Sequence, residues 1–191
     1  LFKMKIKYKI SPLCLNFNNI VCALLVAFLL HSCNKNDYIK QECIKMQKEK
    51  VCVPVDQLKC LKSSVLGGGE ERYRYILYLD SVACMPCAIR GLSAWTPIIN
   101  ELNGKGNLLS LYVIVETKEP ELFDLIKHYT PNERTNVYVD TVKVFKSLNP
   151  HIPDEIMFHQ FLLNDEDSVI IVGDPVSNEK IFDLVNERIH G

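Results

Sequence analysis

This 191-residue sequence has no basic tract, no internal repeat, no low-complexity run and no apolar stretch long enough to cross a bilayer. With 22 Lys and Arg against 23 Asp and Glu, the first absence excludes a protein that holds nucleic acid by charge. The lack of repeats excludes a stacked-repeat architecture. The longest apolar run, Ile20 to Leu30, has eleven residues, whereas a spanning helix needs roughly 20. A second cysteine knuckle is also missing. Cys43, Cys52 and Cys60 stand eight or nine residues apart, so they supply no spacing that would complete a zinc site with Cys84 and Cys87. The acidic stretch Asn164 to Asp167 lacks the spacing of a calcium loop and reads as a solvated turn.

What is present begins with an N-terminal leader. Lys3, Lys5, Lys7 and Lys9 precede the apolar run, and Leu30-His31-Ser32-Cys33 follows it. A positive segment, a short apolar core and a small residue before a cysteine make a secretory signal. The ending resembles a bacterial lipoprotein signal, which implies lipid attachment at Cys33; His31 departs from the small or aliphatic residue usual there. The expected organisation is a signal over 1–32, a tether with a short extended segment over 33–71, and a folded domain over 72–191. Removal of the leader leaves 18 basic and 23 acidic residues, a net charge of −5. It also places the chain in the cell envelope, facing the periplasm or cell surface, where disulfides form and persist.

From Tyr73 onward, strand and helix patterns alternate. Tyr73 to Leu79 and Leu108 to Val115 are nearly continuous apolar runs, the mark of strands buried on both faces. Ile89, Leu92, Trp95, Ile99 and Leu102 recur at helical spacing, with Pro97 expected to kink or break that helix. A second helix starts at Pro120 and carries Leu122, Phe123, Leu125, Ile126 and Tyr129 on one side. Asn136 to Val139 is a short strand, and Asp140 is placed to cap a helix running through Leu148. Phe158 to Leu163 and Ser168 to Val172 form a hairpin, and Ser177 is expected to cap a last helix. The order β-α-β-α-β-α-β-β-α predicts a mixed α/β sheet: early strands parallel, the final hairpin antiparallel, helices on both faces.

The chemistry is carried by Cys84-Met85-Pro86-Cys87, which opens a helix just past the first core strand. A thiol at a helix N-terminus faces unpaired N–H groups, which stabilise its thiolate, and a second thiol three residues on can resolve a mixed disulfide. Pro86 falls in the first turn, where no N–H is required of it. Three readings stand for this pair: a redox-active dithiol, a permanent structural disulfide, or half of a metal site.

This layout, with Tyr78-Leu79-Asp80-Ser81 before the motif and Phe161-Leu162-Leu163-Asn164 and Gly173-Asp174-Pro175-Val176 near the end, resembles the thioredoxin-like superfamily over roughly residues 73 to 190. The inserted strand and helix between Asn136 and Leu148 are similar to the TlpA-like branch, exported thiol–disulfide oxidoreductases that include Bacteroidetes-type lipoproteins. The resemblance implies that Cys84 attacks and Cys87 resolves, acting on protein thiols or disulfides with a redox partner protein and without a cofactor or metal. Three positions depart from the pattern. Ala83 replaces the usual aromatic, Tyr78 fills the place of a buried acid with Asp80 two residues later, and Met157-Phe158-His159-Gln160 lacks the expected proline. A non-proline cis bond costs about 2.5–4 kcal/mol, so that loop is expected to be trans. His159 is placed to face the motif as a possible supporting residue. These departures keep open a second class of function, a binding lipoprotein on a thioredoxin scaffold without turnover.

Overall fold

The computed structural model describes residues 35–64, 71–80, 84–104, 108–131 and 134–191. The expectations for the leader and Cys33, for Ser81 and Ala83, and for residues 65–70 lie outside the described residues. The chain divides into two units, Leu1–Glu42 and Cys43–Gly191. Residues 35–48 are helical (α1), and the second unit begins within them. There follow β1 (Lys59–Lys62), β2 (Tyr73–Leu79), α2 (Met85–Gly91), a 3-10 turn (Leu92–Ala94), α3 (Trp95–Leu102), β3 (Leu109–Glu116), α4 (Leu122–Tyr129) and β4 (Thr135–Asp140). The chain ends with α5 (Val144–Leu148), a 3-10 turn (Ile156–Phe158), β5 (Gln160–Leu163), β6 (Val169–Val172) and α6 (Glu179–His190). Among the described residues, no helix is long and apolar enough to cross a membrane.

Six strands make one sheet in the order β1-β4-β3-β2-β5-β6. The three strands separated by helices, β2, β3 and β4, run parallel, and β1, β5 and β6 pair antiparallel to their neighbours. The mixed α/β sheet expected from the pattern is therefore the one that forms. Alternation along β2 assigns its faces. Tyr75, Leu77 and Leu79 enter the main core with Ile89, Leu92 and Trp95 of the α2–α3 segment, Leu122 and Ile126 of α4, and Val185 and Ile189 of α6. Ile76 and Tyr78 are buried on the opposite face, where α5 packs through Phe145 against the Tyr78 ring at 4.9 Å.

Several boundaries differ from expectation, each for a physical reason. Much of the segment read as a tether is folded. Lys59 and Cys60 pair with Val139 and Tyr138, so β1 forms the sheet edge. Upstream, Val51 is buried and donates its N–H to the Asp167 carbonyl. Cys52 is clasped by the Asn149 side chain through both N–H and C=O, at 2.8 Å each. The extended piece at Val51 to Val55 is thus held by side chain and loop, with only Lys50 bridging to Ser168. The helix after the motif breaks at Leu92–Ala94, ahead of Pro97, whose missing N–H and ring exclude the bond to the carbonyl four residues earlier. Strand β5 starts at Gln160, two residues later than expected, because Ile156–Phe158 closes a 3-10 turn. Asn178 caps α6, its Oδ1 accepting from Lys180 and Ile181 N–H, while Ser177 donates its hydroxyl to Asp174. Asp140 accepts N–H bonds from Val144 and Phe145 at 3.0 and 2.8 Å, so it caps α5 as expected, although from three residues before Lys143. The peptide bonds of the described residues, including the Met157–Gln160 loop, are trans.

Candidate functional site

Strand β2 delivers the chain to the carboxyl edge of the sheet, where Cys84 stands in an extended conformation just before α2. Its carbonyl accepts the N–H groups of Cys87 and Ala88, both at 3.0 Å, which closes the first turn. That turn brings the two sulfurs to 2.9 Å, and both residues are exposed free thiols. The two thiols are shifted in opposite directions. The hydrogen bond from the Cys87 thiol holds the Cys84 pKa down, with help from the Cys87 N–H and the charge of Arg90. The same bond and the adjacent Cys84 charge push Cys87 up, with Arg90 partly opposing. Such asymmetry provides one thiolate for attack and one thiol held in reserve.

A second polar constellation forms on the other face of β2. The Tyr78 hydroxyl donates to buried Glu116 Oε2 at 2.5 Å, and Lys143 Nζ meets Glu116 Oε1 at 2.6 Å. Burial and the Glu116 carboxylate raise the Tyr78 pKa well above that of a free tyrosine. The His159 ring is buried against Tyr78 at 5.1 Å, donates from Nε2 to the Pro153 carbonyl at 3.0 Å, and turns Nδ1 toward Asp80 Oδ2 at 3.9 Å. Burial lowers its pKa, against the opposing pull of the Pro153 bond and Asp80. These groups line a cavity of about 240 Å³ with Lys146 and Asp154. The structure thus joins Cys84 to Cys87 and Asp80 to His159, but neither thiol is shifted by Asp80 or His159. Glu116 and Lys143 escape sequence reasoning; the only signal was an acid directly after the apolar run Leu108 to Val115.

Beside α2 lies a groove of about 340 Å³. Ala88, Gly91, Leu92 and Trp95 form one wall, and Ile156, His159, Gln160, Asp174 and Val176 form the other. Trp95 packs on Tyr75 beneath it, ring centroids 4.8 Å apart. The proline-free loop therefore still borders the motif helix. Among the described residues, no group of three or more His, Cys, Asp or Glu is arranged to hold a metal ion.

The core order β3-β2-β5-β6, extended by β4 and β1 and followed by α6, with a cysteine pair opening the helix after β2, defines a thioredoxin-like α/β fold. No family model matches the chain, and no curated protein matches it. Among solved structures, a thioredoxin-like protein from Bacteroides caccae is 17% identical, with a TM-score of 0.44 over 64% of this chain and 42% of that one. The chain thus spans about two fifths of that protein. The thioredoxin domain of a thiol-disulfide oxidoreductase from Bacteroides vulgatus is 14% identical, with a TM-score of 0.45 over 65% of this chain and 84% of that one. Yeast Sco1 with copper bound is 15% identical, with a TM-score of 0.49 over 74% and 93%. The fold assignment rests on the strand order and the position of the thiols.

Proposed function

We propose that this chain is an exported thiol–disulfide oxidoreductase that cycles Cys84 and Cys87 between dithiol and disulfide on protein substrates. The observation that carries the reading is the exposed pair itself: two free thiols 2.9 Å apart with opposite pKa shifts. In the reducing direction the Cys84 thiolate attacks one sulfur of a substrate disulfide, and the other substrate sulfur leaves as a thiolate and takes up a proton. A mixed disulfide now joins Cys84 to the substrate. Cys87 loses its proton and attacks Cys84 Sγ, forming the internal disulfide and releasing the second substrate thiol. A redox partner protein returns the pair to the dithiol. The leader with Lys3 to Lys9 and Ile20 to Leu30 supports export, and Ser32-Cys33 supports a lipid anchor at Cys33.

The test is an insulin disulfide-reduction assay with the domain and its cysteine variants. Turnover abolished in Cys84→Ser, together with mixed disulfides trapped in Cys87→Ser, supports the reading. No turnover by the wild type, with no trapped species, leaves a binding module on the same scaffold.

A further inference from the structure

The groove beside α2 is mostly apolar, and several of its polar atoms are already committed. The Tyr78 hydroxyl is bound to Glu116. His159 donates Nε2–H to Pro153 and turns Nδ1 toward Asp80, against the face of β2 away from α2. Asp174 accepts from the Val176 N–H at 2.9 Å and from the Ser177 hydroxyl at 2.8 Å. The Gln160 backbone is spent in the sheet, where it pairs with Leu77 and its carbonyl accepts the Gly173 N–H at 2.9 Å.

Two buried side-chain atoms of the lining residues have no hydrogen-bond partner: His159 Nδ1, which faces Asp80 on the far side of β2, and the Gln160 oxygen. Gln160 lies opposite Leu77, whose side chain enters the core shared with Ile89, Leu92 and Trp95, so its amide stands on the α2 side of the sheet. Its Oε1 is buried, has no hydrogen-bond partner, and belongs to a residue that lines the groove. A buried acceptor without a donor is unfavourable, and a ligand that brings an N–H removes the penalty. Largely apolar walls with an unpartnered acceptor on the α2 side of the sheet, next to a helix bearing an exposed reactive thiol, fit a polypeptide chain linked through one of its cysteines.

We propose that Gln160 is the specificity-determining acceptor of this groove, its Oε1 receiving a backbone N–H of a disulfide-bearing polypeptide laid along α2. This rests on the oxidoreductase reading. The interaction favours peptide disulfides over small disulfides that carry no suitably placed amide, and it acts through a side chain where the loop lacks proline.

The experiment is a single-site N-methyl scan across the residues flanking the cysteines of a short disulfide-linked peptide, read as kcat/KM for its reduction. One N-methyl position costs the wild type about tenfold, the worth of one good hydrogen bond. In Gln160→Met the same N-methyl group costs less than about twofold, and in Gln160→Glu, which keeps an acceptor, the penalty returns. The proposal is overturned if no position costs the wild type more than about twofold, or if the penalty is equal in Gln160→Met. The wild-type scan decides the matter if the Met variant does not fold. Failure of the wild type to reduce even the unmodified peptide overturns both the oxidoreductase reading and this inference, whereas robust reduction with a flat scan overturns this inference alone.

Discussion

Replacing Tyr78 with Phe removes one hydroxyl and leaves the ring packed, tilted, against Phe145 and His159, with centroids at 4.9 and 5.1 Å. The lost interaction is the 2.5 Å bond to Glu116, a carboxylate with 7% side-chain exposure. A hydrogen bond to a charged group contributes about 1.5–3 kcal/mol. Glu116 keeps its contact with Lys143, which is 66% exposed and links the carboxylate to solvent. That residual screening places the loss in the lower half of the range, at about 1.5–2 kcal/mol. For a unit of this size, the fall in Tm is about 3–8 °C. Urea and thermal unfolding followed by circular dichroism measure it. Neither thiol's shift is caused by Tyr78 or Glu116, so the pH profile of Cys84 alkylation superimposes on the wild type. A stability loss below about 0.5 kcal/mol would refute the phenol–carboxylate bond as described. A displaced alkylation profile would show that position 78 acts on the thiols after all.

Three further outcomes are expected. Cys84 is alkylated by iodoacetamide at lower pH than Cys87, and Arg90→Glu moves the Cys84 midpoint upward because it removes a charge that holds the thiolate; an unmoved midpoint contradicts this. His159 is held neutral mainly by burial, so the unfolded chain binds its proton more readily. Its contribution is present above the ordinary histidine pKa of about 6.5 and is lost as pH falls below it. The urea midpoint therefore drops between pH 7.5 and 5, and drops less in His159→Gln; an equal drop in both refutes the assignment. Gly173 has φ +137°, and a Cβ there would lie 3.0 and 3.1 Å from Ile181 side-chain carbons. Gly173→Ala accordingly costs about 2–4 kcal/mol by chemical denaturation, and a cost below about 1 kcal/mol contradicts the strained geometry.

The elements legible in the sequence are those whose own pattern decides their structure. Strands β2 and β3 are buried on both faces and read as apolar runs, while α4 carries its stripe at helical spacing. The motif is legible because two cysteines three residues apart at a strand–helix junction stand out by spacing alone, whichever of the three readings applies. Strand β1 was not legible. Lys59-Cys60-Leu61-Lys62 has no apolar alternation, and it becomes a strand only because β4 offers an open edge. The Tyr78–Glu116–Lys143 chain is hidden because only the parallel register sets β3 beside β2, and only the turn before α5 brings Lys143 to Glu116. Alternation along β2 did contain the fate of Asp80. If Leu77 and Leu79 face α2, then Tyr78 and Asp80 must face away from it, and His159 joins them there. Gln160 carried no signature, since one glutamine at a strand start matters only beside the groove that the fold builds around it.

The reduction potential of the Cys84–Cys87 pair, measured by equilibration against glutathione or dithiothreitol buffers, tests the central claim most directly. A redox-active pair has a potential between about −270 and −120 mV, the span of thiol–disulfide catalysts. A value below about −300 mV, where structural disulfides lie, would contradict the account.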